Sequence, residues 1–427
     1  MITAKATGFI SVAILLFLVG RVTLVGWVYL VDAVLWGIII LSFLVPWLGA
    51  AFLETQRRVD RPKSGALHPG PAEGDLLHID VSVRNRAFFP RFLFNVYYDC
   101  PVAAPDSRLK RFFIAQMPAW GQVNLSATVT AYQRGLHHLG PVTVESSAPF
   151  GLFRRRVYRT ASEPVLVYPM VHPLRRLALV EARYGESVQP RKSLAGMDPV
   201  GSRHYFPGDP RRYIHWRNTA KMGRPMVKEF EDAKDPTLDI IFDAIQVEGE
   251  GKDTTLEYSI KIAVSAADYA IRNQGTVRVW GGNLRGETAG VSEGDGMSWP
   301  ALLRQMSLMQ AGEGWGIAES LSRLPPGCSA LVIVSSDDQE AIQALIREAP
   351  RLERLVVVAL AGFGETEATE TRGSGLSALE RSRVSVLLCR PHRLPDALES
   401  LERLGGLSFD RSAAGIPTNG TPTGAAE

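Results

Sequence analysis

Two long apolar runs open the chain and predict its first element. Residues 8–53 are almost wholly apolar, and the ionisable side chains within them are Arg21 and Asp32. Because a bilayer core needs about 20 apolar residues per helix, the stretch predicts two membrane-spanning helices with a turn near residues 20–26. A cleaved signal peptide would also start with Lys5 and a short apolar run. The longer second run that follows favours the hairpin.

The charges beside the apolar runs predict the orientation of the hairpin. Lys5 precedes the first run, Arg21 stands alone in the turn, and a basic group follows the second run. That group is Arg57, Arg58, Arg61 and Lys63. Because cytoplasmic flanks carry the excess of Lys and Arg, we expect a two-pass protein of the cell inner membrane with both termini and the soluble domains in the cytosol. Asp32 could be an intramembrane functional group, but its place near a helix start predicts headgroup depth.

A different period begins at Leu77, where apolar and polar residues alternate. The alternation covers residues 77–84 and returns at 92–98 and 123–129. Period two is typical of half-buried strands. We therefore predict an all-β sandwich over residues 57–168.

His137 and His138 lie within this strand-rich part and raise the question of a metal site. Adjacent residues of a strand point to opposite faces, so the two imidazoles cannot easily share one ion. A structural role is expected for both.

After residue 236 the pattern changes to alternating strands and helices. Apolar runs predict buried strands at 238–242, 276–280, 330–334, 355–360 and 384–389. Thr254 and Glu257 form a capping pattern ahead of a segment with apolar residues at helical spacing. This order predicts a doubly wound α/β domain with a mostly parallel sheet. Ligands of such sheets lie beyond the carboxyl ends of the strands, which makes Asp243 and residues 335–338 candidate positions.

The order of these elements resembles a von Willebrand factor type A domain, whose metal site uses the pattern D-x-S-x-S. In this chain Asp243 is followed by Ile245 and Val247 at the two hydroxyl positions, and neither side chain has an oxygen for a hard cation. Asp243, Ser335 and Asp337 are therefore interpreted as degenerate metal-site positions. We expect no metal and no cofactor, with Asp243 in a loop turn and Asp337 as a helix cap.

A basic and aromatic connector, residues 169–235, joins the two soluble domains. Its central run reads G-M-D-P-V-G-S-R-H-Y-F-P-G-D-P-R-R-Y-I-H-W-R-N-T-A-K from residue 196 to residue 221. Basic residues interleaved with aromatic ones could bind single-stranded nucleic acid by stacking. A solvated, salt-bridged connector would have the same composition. The formal net charge of +3, from 47 basic and 44 acidic residues, gives no support to nucleic acid.

A hydrolase is the other alternative for the connector. Ser202, Asp209 and His215 could be assembled into a catalytic triad, although Ser202 lies outside any nucleophile-elbow pattern.

The sequence offers few other motifs with a chemical role. The cysteines, Cys100, Cys328 and Cys389, are too few for a disulfide framework, and no G-x-x-x-x-G-K-[ST] phosphate-binding loop occurs.

The central run resembles the signature of the bacterial domain-of-unknown-function family 58, which is close to R-x-Y-x-x-G-D-x-x-R-x-I-x-W-x-x-(S/T)-A-(R/K). The matching positions are Arg203, Tyr205, Gly208, Asp209, Arg212, Ile214, Trp216, Thr219, Ala220 and Lys221. Arg134, Gly135 and residues 149–153 add support, whereas Ala148 stands where the family usually has Asp. The resemblance covers about residues 7–400.

Members of that family are encoded beside MoxR-type AAA+ ATPases. The resemblance implies a non-enzymatic, membrane-anchored scaffold or adaptor that acts through protein contacts with such an ATPase. The domains expected are a membrane hairpin (1–56), a β-sandwich (57–168), a connector (169–235), a type A-like domain (236–410) and a disordered tail (411–427). The connector-based hydrolase or nucleic-acid-binding protein stays as the alternative.

The connector is further expected to organise the fold. Asp209 lies in a Pro-Gly-Asp-Pro turn next to arginines, so it is predicted to cap the following turn. Trp216 is predicted to bury its ring against a sheet, at helical spacing from Arg212 and Ala220.

Overall fold

The computed structural model forms two compact units, and each is described by itself. The first comprises residues 1–171 with 300–309, and the second comprises residues 172–299 with 310–427. The residues described are 3–49, 51–60, 69–159, 162–180, 192–193, 199–206, 214–231, 237–290, 296–312, 314–364, 379 and 384–404. The predicted tail at 411–427 lies outside them.

A helical hairpin begins the first unit, as the apolar runs predict. Helices α1 (Ala4–Thr23) and α2 (Gly26–Gly49) are both long and apolar enough to cross a membrane. Leu24 ends α1 in the left-handed region with φ of 55°, inside the predicted turn. Because helix α1 starts at Ala4, helix α2 ends at Gly49 and a strand starts at Leu53, the hairpin lies four residues closer to the N-terminus than the predicted stretch of residues 8–53.

Small side chains let the two helices pack closely. Ala6, Ala13 and Gly20 are buried on α1 at intervals of one heptad. Asp32 is also buried, at 6% exposure, among apolar residues of α2. Its carboxylate is therefore shielded by the hairpin in this single chain, and the Oδ1 atom has no hydrogen-bond partner among the described residues.

Antiparallel strands make up the rest of the first unit. They are β1 (Leu53–Asp60), β2 (Leu76–Asn85), β3 (Arg91–Asp99), β4 (Leu109–Met117), β5 (Gln122–Thr130), β6 (Gly135–Leu139), β7 (Thr143–Ser146), β8 (Arg155–Tyr158) and β9 (Glu163–Val167). They form sheets in the orders β1-β2-β5, β4-β3-β7-β8 and β6-β9. One hydrophobic core joins the three sheets, with Ile79, Val96 and Val165 among its members.

Strand β1 contains two of the basic residues that follow the second apolar run, Arg57 and Arg58. Arg57 lies on this strand with its side chain 1% exposed, in an ion pair with Glu163 at 3.6 Å. Its Nη1 also donates to the carbonyl of Gly140 at 2.6 Å. The guanidinium of Arg57 therefore joins β1 to residues of the β unit, and the predicted orientation stays a prediction.

The second unit starts with the connector and continues into an α/β sheet. The connector holds β10 (Lys192–Ser193), β11 (Pro199–His204), helix α3 (Trp216–Met222) and β12 (Met226–Glu231), with sheet order β10-β12-β11. The later strands are β13 (Thr237–Phe242), β14 (Gly249–Glu250), β15 (Asp253–Thr254), β16 (Thr276–Gly281), β17 (Leu284–Ala289), β18 (Ser329–Ser335), β19 (Arg354–Leu360) and β20 (Ser385–Cys389).

A six-stranded sheet of order β17-β16-β13-β18-β19-β20 forms the core of the second unit. Its strands pair in parallel except for β17, which is antiparallel to β16. The helices along the chain are α4 (Thr255–Arg272), α5 (Trp299–Leu308, grouped with the first unit from residue 300), α6 (Ile317–Ser322), α7 (Gln339–Glu348) and α8 (Leu394–Arg403). Thr254 caps α4 by accepting the amide of Glu257 at 3.2 Å, as its capping pattern predicts.

Candidate functional site

The signature segment, defined as residues 199–231, contains strand β11, helix α3 and strand β12. Strand β11 pairs with β12, and helix α3 lies between them in the chain. Backbone bonds fix the segment: Tyr205 N donates to the carbonyl of Pro225 at 3.0 Å, and His215 N donates to that of Met226 at 2.7 Å. Residues 207–213, among them Gly208, Asp209 and Arg212, lie outside the described residues, so the predicted role of Asp209 stays a prediction.

Polar side chains of the segment serve its local structure. The amide of Asn218 donates to Nδ1 of His215 at 3.2 Å, which makes His215 the N-cap of α3. The side-chain amide of Asn218 donates to Oγ of Ser202 at 2.7 Å. Thr219 Oγ1 accepts the amide of Met226 at 2.9 Å and so joins the helix to β12.

These bonds do not form the geometry of a hydrolytic triad. A triad histidine donates its Nδ1 proton to a carboxylate and accepts the serine proton at Nε2. Here Nδ1 of His215 is an acceptor, and the described side-chain partner of Ser202 is Asn218. Both residues therefore have structural partners in the part of the segment that is described.

The outer face of α3 carries exposed apolar groups. Trp216 is 71% exposed, Met222 is 58% exposed, and Phe206 ahead of the helix is 62% exposed. The basic residues Arg217, Lys221 and Arg224 are exposed as well. We call these six residues the signature face.

The prediction that Trp216 is buried is wrong. Helix α3 has only seven residues, and its half-buried positions are Asn218 and Thr219, which bond to Ser202 and β12. Trp216 and Ala220 fall on the opposite, exposed side. Spacing had shown that these two residues share a face but not which face meets the sheet.

The other described signature positions lie in the strands or the helix of the segment. Ile214 is half-buried and forms an isolated bridge with Val227. Arg203 lies on β11, opposite Val227 of β12. Lys221 is exposed in the last turn of α3, where a cation suits the helix dipole.

A second candidate site is the carboxyl edge of the six-stranded sheet. The chain order of the strands reverses between the neighbouring strands β13 and β18, and ligands of open α/β sheets bind at such a switch point. Asp243 follows β13, and Ser335 ends β18. The two predicted positions therefore lie at the ends of adjacent strands.

The polar groups of this edge bond to the chain itself. Asp243 accepts the amides of Ile245 at 2.7 Å and Gln246 at 3.4 Å. Burial raises the pKa of Asp243 above its usual value, the two amide bonds oppose the rise, and the charge of Asp338 adds to it. Ser335 Oγ donates to Glu248 Oε1 at 3.1 Å.

Helix α7 is capped by a neighbour of the predicted residue. Asp338, not Asp337, accepts the amide of Ala341 at 2.9 Å and is the N-cap. Asp337 instead donates its amide to Ser335 Oγ at 3.4 Å. Across the described residues, no group of three or more His, Cys, Asp or Glu side chains is placed to hold a metal ion.

Sequence reasoning missed a buried ionic cluster inside the same sheet. Asp239 is fully buried and accepts from Arg278 at 2.6 and 2.8 Å and from the indole of Trp280 at 3.0 Å. Burial, together with the nearby Asp239, raises the pKa of Cys328 to about 12. The available signal was a lone carboxylate within the apolar run of β13.

Comparison with protein families gives a match to part of the chain. Residues 201–285 match the family described as "Protein of unknown function DUF58". The matched segment contains the signature, the first strand of the α/β sheet, helix α4 and strand β16. It is shorter than the stretch of residues 7–400 that the resemblance was expected to cover.

A curated relative and two solved structures are similar to this chain. The Bacillus subtilis protein "Uncharacterized protein YeaD" is 24% identical over 203 residues, which cover 44% of this chain and 47% of that protein. The chain thus spans about half the length of this relative. A CARDB domain from Pyrococcus furiosus covers 27% of this chain and 90% of its own length at 13% identity and a TM-score of 0.20. The PilB minor pilin of Streptococcus sanguinis covers 75% and 92% at 7% identity and a TM-score of 0.28.

Proposed function

We propose that the protein is a membrane-anchored adaptor that binds a partner protein through the signature face. The observation that carries the proposal is the exposure of Trp216. Folding leaves a large indole in solvent, and Phe206 and Met222 of the same segment are also exposed. Patches of exposed apolar side chains mark sites of interaction.

The composition of the signature face supports a protein partner. Trp and Arg are enriched among the residues that dominate binding energy at protein interfaces. The signature face combines an exposed Trp with Arg217 and Arg224. An acidic surface with an apolar pocket is the complementary partner, because the charges steer the encounter and the pocket buries the indole.

The family resemblance suggests which partner to test. We propose that the chain is a member of the family that residues 201–285 match, and that its partner is a MoxR-type AAA+ ATPase. We also propose a β-sandwich for the first unit and a type A-like domain without a metal for the second. The strand order, with one antiparallel edge strand, and the shared core of the three antiparallel sheets support these two folds.

The membrane hairpin supplies the anchor in this proposal. We place the protein in the cell inner membrane with both termini cytoplasmic. Support comes from helices α1 and α2, whose outward side chains are large and apolar, among them Leu15, Leu18 and Leu30.

Capture of the ATPase on the full-length protein tests the function. The tagged protein is solubilised from membranes together with the MoxR-type ATPase of the same cell, with ATP hydrolysis blocked. We expect the ATPase to be retained, and Trp216→Ala to reduce retention at least about tenfold, as expected for a central interface tryptophan.

A matched variant separates this effect from a general loss of aromatic surface. Trp120 is 64% exposed and lies in the first unit, so Trp120→Ala should retain the ATPase. Equal retention by both variants would contradict the proposal. Retention of a single-stranded oligonucleotide, lost in Trp216→Ala, would favour the nucleic-acid alternative.

A further inference from the structure

A cluster of arginines lies beside the end of the second apolar helix. A cavity of about 600 Å³ is lined by Phe43 and Trp47 of α2 and by residues 153–156, which lead into strand β8. Phe43 and Phe153 meet edge to face, with ring centroids 5.5 Å apart. One wall is therefore apolar and belongs to the helix, while the other is cationic and belongs to the β unit.

Glu145 neutralises two of the three lining arginines. Its carboxylate lies 3.4 Å from Nε of Arg154 and 2.7 Å from Nη2 of Arg156. Arg155 instead lies over the ring of Trp47, with its guanidinium carbon 4.7 Å from the centroid. Its Nη1 atom is buried and has no hydrogen-bond partner among the described residues. Among the described residues, Glu145 pairs with Arg154 and Arg156 but no carboxylate pairs with Arg155, so the cavity wall carries a cation whose charge a bound anion would neutralise.

Two further arginines add positive charge around this wall. Burial, and then the repulsion of Arg155, lowers the pKa of Arg159 below its ordinary value. Burial and the repulsion of Arg159 lower the pKa of Arg91 to about 10. Arg155 thus repels Arg159, and Arg159 repels Arg91. A bound anion would relieve this repulsion.

The cavity lies at the level where the apolar helix ends. Arg91 donates to the carbonyls of Leu48 and Gly49, the last two residues of α2. Trp47 is within the final turn and 53% exposed, and Trp is enriched at the boundary between hydrocarbon and headgroups. If α2 crosses the membrane, as the proposed function holds, the arginines lie at headgroup depth.

We propose that this cavity binds the phosphate of an anionic phospholipid, with Arg155 as the main ligand and an acyl chain along Phe43 and Trp47. A lipid explains both walls, because the phosphate meets the guanidinium and the chain covers the exposed aromatic side of α2. Free phosphate would leave the apolar wall unused. Basic pockets beside transmembrane helices are suited to anionic headgroups. The inference rests on the proposed membrane anchor.

Lipid retention by the full-length protein tests the site. The protein is purified in mild detergent, mixed with equal amounts of phosphatidylglycerol and phosphatidylcholine, and analysed by native mass spectrometry. We expect preferential retention of phosphatidylglycerol, and at least about a tenfold loss of this preference in Arg155→Gln, since a charge-assisted bond to phosphate is removed. Arg111→Gln is the matched control, because Arg111 is exposed on β4 and stacks on Tyr97.

Each other outcome overturns the inference in a distinct way. Equal preference in Arg155→Gln and Arg111→Gln would mean that general surface charge retains the lipid. Displacement of phosphatidylglycerol by millimolar inorganic phosphate would mean that the site takes a free anion. Alkaline carbonate extraction of membranes tests the anchor separately from the lipid site. A protein that stays in the membrane but shows no lipid preference contradicts the lipid site alone, whereas an extracted protein contradicts the proposed anchor.

Discussion

The carboxyl edge of the α/β sheet and the signature face differ in whether their side chains are bonded within the chain or exposed to solvent. At the edge, Asp243, Ser335 and Asp338 all bond to neighbouring groups of the chain. On the signature face, Trp216 and its basic neighbours are left in solvent. The topology of open α/β sheets places ligands at the first region, whereas the exposed apolar and basic side chains lie in the second. Folding thus satisfies the polar groups of the carboxyl edge and leaves the side chains of the signature face exposed.

The largest loss of stability in this comparison is expected from a substitution of Asp239, which lies inside the sheet. Asp239→Asn leaves the guanidinium of Arg278 without its carboxylate, and that side chain is only 25% exposed. Breaking a buried ion pair costs about 3 to 5 kcal/mol, so the free energy of unfolding should fall by that amount. Calorimetry of the detergent-solubilised full chain measures it.

Glu319→Ala is the control for the ion-pair effect. Glu319 pairs with Arg323 at 3.1 Å, but both side chains are about half exposed. An exposed pair at this spacing contributes about 0.5 kcal/mol or less. Similar losses in both variants would show that the polar groups of the sheet do not stabilise it as the geometry indicates.

A smaller effect is expected from Asp243 at the carboxyl edge. Its folded-state pKa is raised, so its contribution to stability is fully present below the unfolded pKa and is lost as pH rises through the folded pKa. Asp243→Asn removes the buried charge and keeps an acceptor for Ile245. The variant should therefore be more stable than the parent at pH 7, by less than about 1 kcal/mol, with a smaller pH dependence in the acidic range. Thermal melts across pH 3 to 8, roughly the range that spans carboxyl titration, measure this difference.

The melting temperature in magnesium separates the degenerate-site interpretation of the carboxyl edge from a functional metal site. A cation at Asp243 would favour the ionised carboxylate and stabilise the parent through binding. The parent should melt at the same temperature with and without magnesium. A magnesium-dependent rise that Asp243→Asn abolishes would contradict the degenerate-site interpretation.

The sequence predicts the elements of this fold well because their signals are local. The length of the apolar runs predicts the hairpin, and the turn at Leu24 lies where it is expected. Period two predicts β2, β3 and β5, since alternation records which side of a strand is buried.

The remaining features depend on contacts between distant residues. The pair Asp239 and Arg278 joins neighbouring strands 39 residues apart in the chain. Arg155 of β8 and Arg91 of β3 come close to α2 through the packing of these strands on the helix. For Trp216, a seven-residue helix is too short for its spacing to show which side faces the sheet.

The free energy of unfolding of Trp216→Ala tests the central claim most directly, because it asks whether the indole belongs to the core or to a contact surface. A surface residue away from special features changes stability by within about 0.5 kcal/mol, so we expect no measurable loss by calorimetry of the full chain. Trp280, 7% exposed in the same unit, is the matched control, and Trp280→Ala should cost about 3 to 5 kcal/mol. An unshifted Trp216→Ala beside a destabilised Trp280→Ala is the predicted result, whereas a loss of about 3 kcal/mol or more in Trp216→Ala would place the indole in the core and contradict the account.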